Sequence, residues 1–381
     1  MSPFGIDVLI WPASAIFVCT LAACLLFRIS PLLSVSYASI KAGIYLVYFN
    51  IVFDGAYTFN DDWKYIAGAQ ELLSYGVGLT NILEEWEFVL ATAKSQHFAY
   101  YLHNAFAFRL FGEGYFSPVA LNVLLTVGVA YFGAKLASVE FNMSKKASRL
   151  FFLFLLFHPD ILAWSSIANL KDVLVLFLHV LLLAAVSQYL HGQLFKALWL
   201  GLPVVFVLFF LRFYVPMLFV VALVATHLLI NQRWNISYLM VSFGLAVLAL
   251  VLIGDSAVQY AIIRLNESFV NPLYGFIRFV STPIPFNAQG SYAFLNVSAL
   301  IHWALMPFVL VGLVKIWRTK TQFSRFFIMY LIVFVGLYSV YGELQGPRHR
   351  VQLDYAFALL QFVGVMVALR SLLQNSCRYE G

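Results

Sequence analysis

The chain has 381 residues, of which 62% are hydrophobic, 18% aromatic and only 10% charged. Soluble domains carry roughly 25% charged residues, and a chain with a mean hydropathy of +0.87 holds more apolar surface than soluble cores can cover. Composition therefore leaves a polytopic membrane protein. Three cysteines exclude a disulfide-built scaffold, and the net charge of +6 does not indicate nucleic acid, because the basic residues sort by membrane side.

A helix crossing hydrocarbon needs about 20 mostly apolar residues, since no water is there to satisfy its backbone. Such runs fall near 6–27, 34–53, 116–138, 149–166, 171–190, 196–212, 213–231, 236–254, 296–315, 325–342 and 353–373. They predict an all-α polytopic membrane protein of about eleven spans. Only the turn at Arg212–Pro216 separates two of them, so ten or twelve stay open. The first run lacks a basic n-region and is long enough to span, which sets it apart from a cleaved leader. With the N-terminus outside, the inner connections hold Arg28, Lys41, Lys135, Lys145, Lys146, Arg149, Lys196, Arg233, Lys315, Arg318, Lys320, Arg325, Arg370 and Arg378, against Glu140 and Glu380. That excess predicts an outer N-terminus and an inner C-terminus. Residues 1–381 form one membrane domain with two outer excursions, 54–115 and 255–295, neither large enough to fold alone.

In the first excursion, TFNDDWKYIAGAQELLSYG starts with a helix cap at Asn60 or Asp61. An apolar stripe of Trp63, Ile66, Ala67 and Leu73 follows, ended by Gly76 and Gly78. The segment predicts a helix lying in the interface with Asp61 and Asp62 at its N-terminus. Those aspartates have an ordinary use as caps that favour the helix dipole. HFAYYLHNAFAFRLFGEGYFSP, interrupted by His103 and Arg109, predicts a second interfacial or partly embedded helix.

Further polar residues stand at predicted outer boundaries: His158, Asp160, Lys171 and Asp172 in one, Arg212 in the next, and Glu343, Arg348, His349, Arg350 and Asp354 near the C-terminus. Ionisable groups at membrane depth are costly and face a cavity or a partner, so these turns predict one polar cavity at the outer leaflet. Lys171 and Asp172 are equally well explained as a helix-end ion pair, and Arg348 and Arg350 as snorkelling side chains. Two nearby arginines also suit phosphate oxygens through charge-assisted bonds. No metal-ligand spacing, P-loop, dinucleotide fingerprint or nucleophile elbow occurs. The sequons at Asn142, Asn235, Asn266 and Asn296 carry no weight in a chain this long.

DDWKYIAGAQELL, HFAYYLHNAFAFRLFGEGYFSPVALNVLL, FHPDILAWSSIANLKDVLVLFLHVLLLA and LFFLRFYVP follow one another over residues 50–230, with a weaker echo in GPRHRVQLDYAFALL. This succession resembles the integral-membrane glycosyltransferases of the GT-C superfamily, in particular the bacterial branch related to protein mannosyltransferases and aminoarabinose transferases. The resemblance implies a GT-C-like fold in the cell inner membrane. It implies a donor sugar on polyprenyl-(pyro)phosphate, and a glycan, lipid or other acceptor on the periplasmic side. By it the catalytic aspartate is Asp61 or Asp62, with Asp61 preferred because it leads the helix start. Lys171, Asp172, Arg212, Arg348, His349 and Arg350 are the matching candidates around the lipid phosphate, and Tyr65, His103, His158 and Glu343 for the acceptor or pocket. No cofactor is indicated, and a divalent metal assisting the transfer stays open. Two departures bear on the acceptor: an additional span precedes the acidic loop, and the family's large C-terminal outer domain has no counterpart here. A repeat-unit polysaccharide polymerase is the alternative enzyme. A lipid-linked-sugar flippase or transporter is the alternative from another class, although transporters place charge near mid-membrane and often show repeated halves.

Overall fold

The computed structural model describes residues 2–78, 81–93, 97–230, 263 and 268–379. Among these, nine helical stretches are long and apolar enough to cross a membrane. They match nine of the eleven predicted runs. The run at 213–231 forms a 17-residue helix, Tyr214–Ile230, shorter than those nine. The run at 236–254, Arg233, Glu380 and the sequons at Asn235 and Asn266 lie outside the described residues.

Helices α1 (Ile6–Leu26) and α2 (Pro31–Val47) form a hairpin, with Pro31 in the first turn of α2, where its missing N–H costs nothing. A π-helical turn, Tyr48–Val52, carries α2 into the first excursion. That excursion holds α3 (Asn60–Ser74), a short α4 (Trp86–Thr92) with no counterpart in the sequence reading, and α5 (Phe98–Phe111). In α3 the buried face is Asp62, Tyr65, Ile66, Ala69 and Leu72. Ala67, expected on the apolar stripe, is exposed. Gly76 ends the helix with a φ of +74°, a conformation glycine adopts without cost.

The long helix α6 (Phe116–Glu140) leads to α7 (Lys145–Leu156) and α8 (Pro159–Ile167), two halves of one span. The break falls at His158–Pro159 because a proline inside a helix has no N–H to donate and clashes with the preceding turn. It frees the Leu156 carbonyl, to which Lys41 Nζ donates at 3.0 Å. Lys41 is therefore not in an inner connection as expected from sequence; it is buried in the body of α2, satisfying backbone opened by the break.

Helices α9 (Lys171–Leu190), α10 (Leu194–Arg212) and α11 (Tyr214–Ile230) follow. The second excursion includes α12 (Pro272–Ser281), capped by the Asn271 side chain accepting from the Leu273 and Tyr274 N–H groups. Helices α13 (Asn296–Thr319), α14 (Gln322–Val340), the single turn α15 (Pro347–Arg350) and α16 (Asp354–Tyr379) complete the described chain. Helices α13 and α16 approach closely where Gly312 meets the Leu360 backbone and Gly364 the Phe308 backbone, the small-residue contact typical of membrane helices.

Long-range bonds gather one set of helix ends on a common face. Tyr115 bonds Asp62, Ser291 bonds the Thr58 carbonyl, and Gly342 N–H bonds the Ser268 carbonyl. The turns α1–α2, α6–α7, α9–α10 and α13–α14 lie at the opposite ends of these helices.

Candidate functional site

Asp172 is the hub. It stands in the first turn of α9, 1% exposed, and its Oδ1 accepts from Arg212 Nη2 and from Gln352 Nε2, each at 2.8 Å. Its Oδ2 accepts from Arg348 Nε at 2.7 Å. Arg212 arrives as the last residue of α10 and Arg348 from α15, so one carboxylate joins three elements at a helix N-terminus. Gln352 is held in turn by the Tyr338 hydroxyl at 2.9 Å. Arg348 then reaches Asp61, with Nη1 to Oδ2 at 2.8 Å.

Lys171, the first residue of α9, is 3% exposed, and its Nζ donates to the Tyr65 hydroxyl at 3.2 Å. It forms no ion pair with Asp172 within 4.0 Å among the described residues, so the helix-end pair weighed from sequence is not formed. An ammonium has three donors, and this one makes a single hydrogen bond among the described residues while Arg212 and Arg348 act on it electrostatically from nearby. Arg212 also keeps its Nε buried without a hydrogen-bond partner among the described residues. Arg212 and Arg348 thus meet two carboxylates, Asp172 and Asp61, with the buried Lys171 amine beside them and a buried donor left over at Arg212.

The adjacent aspartates part company. Asp61 has a side chain 41% exposed and faces Arg348, with Lys64 Nζ at 3.9 Å on the open side. Burial works to raise its carboxyl, but the hydrogen bond and charge of Arg348, with Lys171 and Lys64 beyond, prevail and hold it below the usual carboxylate range. Asp62 is fully buried: its Oδ2 accepts from the Tyr115 hydroxyl at 2.5 Å and from the Phe59 N–H at 3.1 Å, while Oδ1 has no hydrogen-bond partner among the described residues. Burial lifts its carboxyl to about 7 against those bonds. Asp62 caps α3 and ties it to the start of α6; Asp61 opens onto the charged cluster.

Arg348 and Arg350 do not form a phosphate-facing pair. Arg350 is buried and donates Nη2 to Asp160 Oδ2 at 3.0 Å and Nη1 to the Thr282 carbonyl. Asp354 Oδ1 lies 3.8 Å from Arg350 Nε, and His302 Nδ1 lies 3.2 Å from Asp160 Oδ2. This second polar network sits inside the helix packing, at the α7–α8 break and the start of α16. His158 belongs beside it, bonded to Gln361 Oε1 at 3.0 Å. His349 lies near the first cluster, with a buried Nδ1 that has no hydrogen-bond partner among the described residues. His103 is buried in α5 and stacks on Tyr100 with centroids 5.0 Å apart; burial pushes its imidazole down to about 4. Glu343 is exposed at the edge, bonded to Ser268 and Tyr341.

Several residues at this face escaped the sequence reading. Asn169, in the connection before α9, accepts from Tyr100 at 2.8 Å, donates to Asn104 at 2.7 Å and sends its N–H to Tyr115 at 3.1 Å. It locks α5, α6 and the α8–α9 turn together just before Lys171 and Asp172. His97 precedes α5; burial first, then the charges of Lys171 and Arg212, push it down to about 3, so it faces the cluster as a neutral imidazole. An apolar cleft of about 560 Å³ is lined by Trp86, Phe98, Leu102, Phe206 and Phe210. Its residues Phe98 and Phe210 stand one and two positions along the chain from His97 and Arg212. Among the described residues, no group of three or more His, Cys, Asp or Glu side chains is arranged to hold a metal ion. No family model, curated protein or solved structure matches this chain.

Proposed function

We propose that the chain is a membrane glycosyltransferase of the GT-C kind, moving a sugar or oligosaccharide from a polyprenyl-(pyro)phosphate carrier to a glycan or lipid acceptor on the periplasmic side of an inner membrane. The observation that carries this reading is the buried group of basic side chains Lys171, Arg212 and Arg348, with Arg212 Nε left without a partner among the described residues, next to one ionised and accessible carboxylate, Asp61. Glycosyl transfer asks for that pairing. A carboxylate takes a proton from the acceptor hydroxyl as its oxygen attacks the anomeric carbon. Fixed positive charge stabilises the phosphate as the bond from carbon to phosphate oxygen breaks. Arg348 bonds Asp61 directly, so an incoming phosphate that takes over Arg348 would release Asp61 to the acceptor. The apolar cleft between α4, α5 and α10 offers a seat for the carrier's chain on the same side of the chain's helix ends.

The test is transfer by purified protein in detergent, using lipid-linked sugars extracted from the source membranes. Asp61→Asn is expected to lower transfer by about 10²- to 10⁴-fold at unchanged membrane expression. Full activity in that variant overturns the reading. The buried network of Asp160, Arg350, His302 and Asp354 favours a second reading, flipping of a lipid-linked sugar, because ionisable groups inside the helix packing are what transporters use. The same assay separates the two, since a flippase makes no new glycosidic bond in a solution without compartments.

A further inference from the structure

The face opposite the Asp61 cluster carries a cleft of about 230 Å³ where the α1–α2 turn meets the end of α6 and the first turns of α7. Arg28, Lys145 and Arg149 line it, with the hydroxyl residues Ser138 and Ser148 between them and Phe27 as an apolar wall. That wall is fixed: Phe27 stacks on Phe152 at 4.4 Å and meets Tyr131 edge-on at 5.5 Å. Among the described residues no carboxylate pairs with Arg28, Lys145 or Arg149. Cations that merely snorkel spread apart toward water. Here three of them border one cleft with no countercharge, an arrangement that like-charge repulsion opposes unless an anion enters.

Two more features say which anion. The first turn of the 12-residue helix α7 supplies Lys145 and Ser148 to the lining, so the positive end of its dipole lies beside the cleft. Leu26 lines the cleft, and its exposed side chain, with those of the chain neighbours Leu25, Leu32, Leu33 and Leu150, gives this end of the helices an apolar outer surface suited to hydrocarbon. A ligand that fills it must carry a phosphate and acyl chains together.

We propose that this cleft is a binding site for the head group of an anionic phospholipid, its phosphate held by Arg28, Lys145 and Arg149 and its chains lying along the exposed leucines. Basic pockets between membrane helices recognise such head groups, each Lys or Arg contributing about 1 kcal/mol. The site is independent of the chemistry assigned to the opposite face.

Native mass spectrometry of the detergent-purified chain tests it with two probes, phosphatidylglycerol and phosphatidylcholine, added at equal concentration. The expected result is one retained phosphatidylglycerol in preference to phosphatidylcholine. Arg28→Gln and Arg149→Gln are each expected to lower retention about fivefold. Arg28 is exposed and Arg149 half-buried, and an unchanged thermal transition of each variant checks that the fold is kept. Lys315→Gln with Arg370→Gln, in a neighbouring basic cleft, is expected to leave retention unchanged. Equal retention of both lipids, or unchanged retention in the Arg28 and Arg149 variants, overturns the proposal. Displacement of the lipid by millimolar inorganic phosphate also overturns it, by making the cleft a free-phosphate site.

Discussion

Asp61 and Asp62 differ by one position and so by about 100° around α3. That rotation sends one carboxylate toward Arg348 and the other into the packing against Tyr115. The consequence for Asp62 is a stability effect with a definite sign. Its folded value, about 7, lies above the ordinary 3.8. Between those values the folded chain keeps a proton that the unfolded chain has released, so stability from this group is full below 3.8 and falls as pH rises toward 7. Asp61, held low, acts oppositely: its contribution is present above the ordinary value and is lost as pH falls through the depressed one. Thermal unfolding of detergent-solubilised wild type and Asp62→Asn isolates the first effect. The difference between them is expected to move in favour of the neutral asparagine as pH rises to 7 and then level off. A difference that is flat across the window would mean Asp62 is ionised throughout. Asp62→Ala, which strands the Tyr115 and Phe59 donors, is expected to cost about 1–2 kcal/mol.

At the scale of elements, Asp172 shows how helix ends build the site. Arg212 terminates α10, Arg348 opens α15, and neither would tolerate the other without the carboxylate at the N-terminus of α9. Asp172→Ala leaves two buried guanidinium groups facing each other. A loss of about 3–5 kcal/mol is expected, read as an early thermal transition. Asp172→Glu is expected to recover part of it; a variant as stable as wild type would remove Asp172 as the organiser. Arg348 and Arg350, expected from sequence to face one phosphate together, part because they lie in a helical turn, where residues two apart point about 200° apart. The coarse layout was legible. So were nine spans, the two helices of the first excursion and the meeting of Asp61, Lys171, Asp172, Arg212 and Arg348, since hydrophobic length and topology fix which turns share a face. Depth was not legible. His158 and Asp160 looked like members of an outer turn, but Pro159 breaks a span instead of ending it, which carries them into the packing. Lys41 went the same way, because its partner is a backbone carbonyl, and no side-chain pattern announces a carbonyl. Asn169, Tyr100 and Gln352 escaped because polar residues that only hold others in place have no spacing rule.

For the whole molecule the two faces differ in charge. One carries the mixed-sign cluster of Asp61, Asp172, Arg212 and Arg348. The other carries Arg28, Lys145, Arg149, Lys315 and Arg370 around its clefts, while Glu140 there is buried and bonded to Ser187. Basic residues in short loops are retained on the cytoplasmic side during insertion, whereas carboxylates exert little pull. The distribution therefore predicts that the Asp61 face is periplasmic, and the proposed chemistry depends on that side, where a lipid-linked donor would be met. With Cys19, Cys24 and Cys377 replaced by alanine, single cysteines at Glu113 and Lys320 report the two faces, both positions being exposed. In intact bacterial cells a membrane-impermeant maleimide is expected to label Glu113→Cys and to reach Lys320→Cys only after permeabilisation. The reverse pattern would put Asp61 and its cations in the cytoplasm, and transfer from a periplasmic donor would then be ruled out whatever the geometry of the cluster.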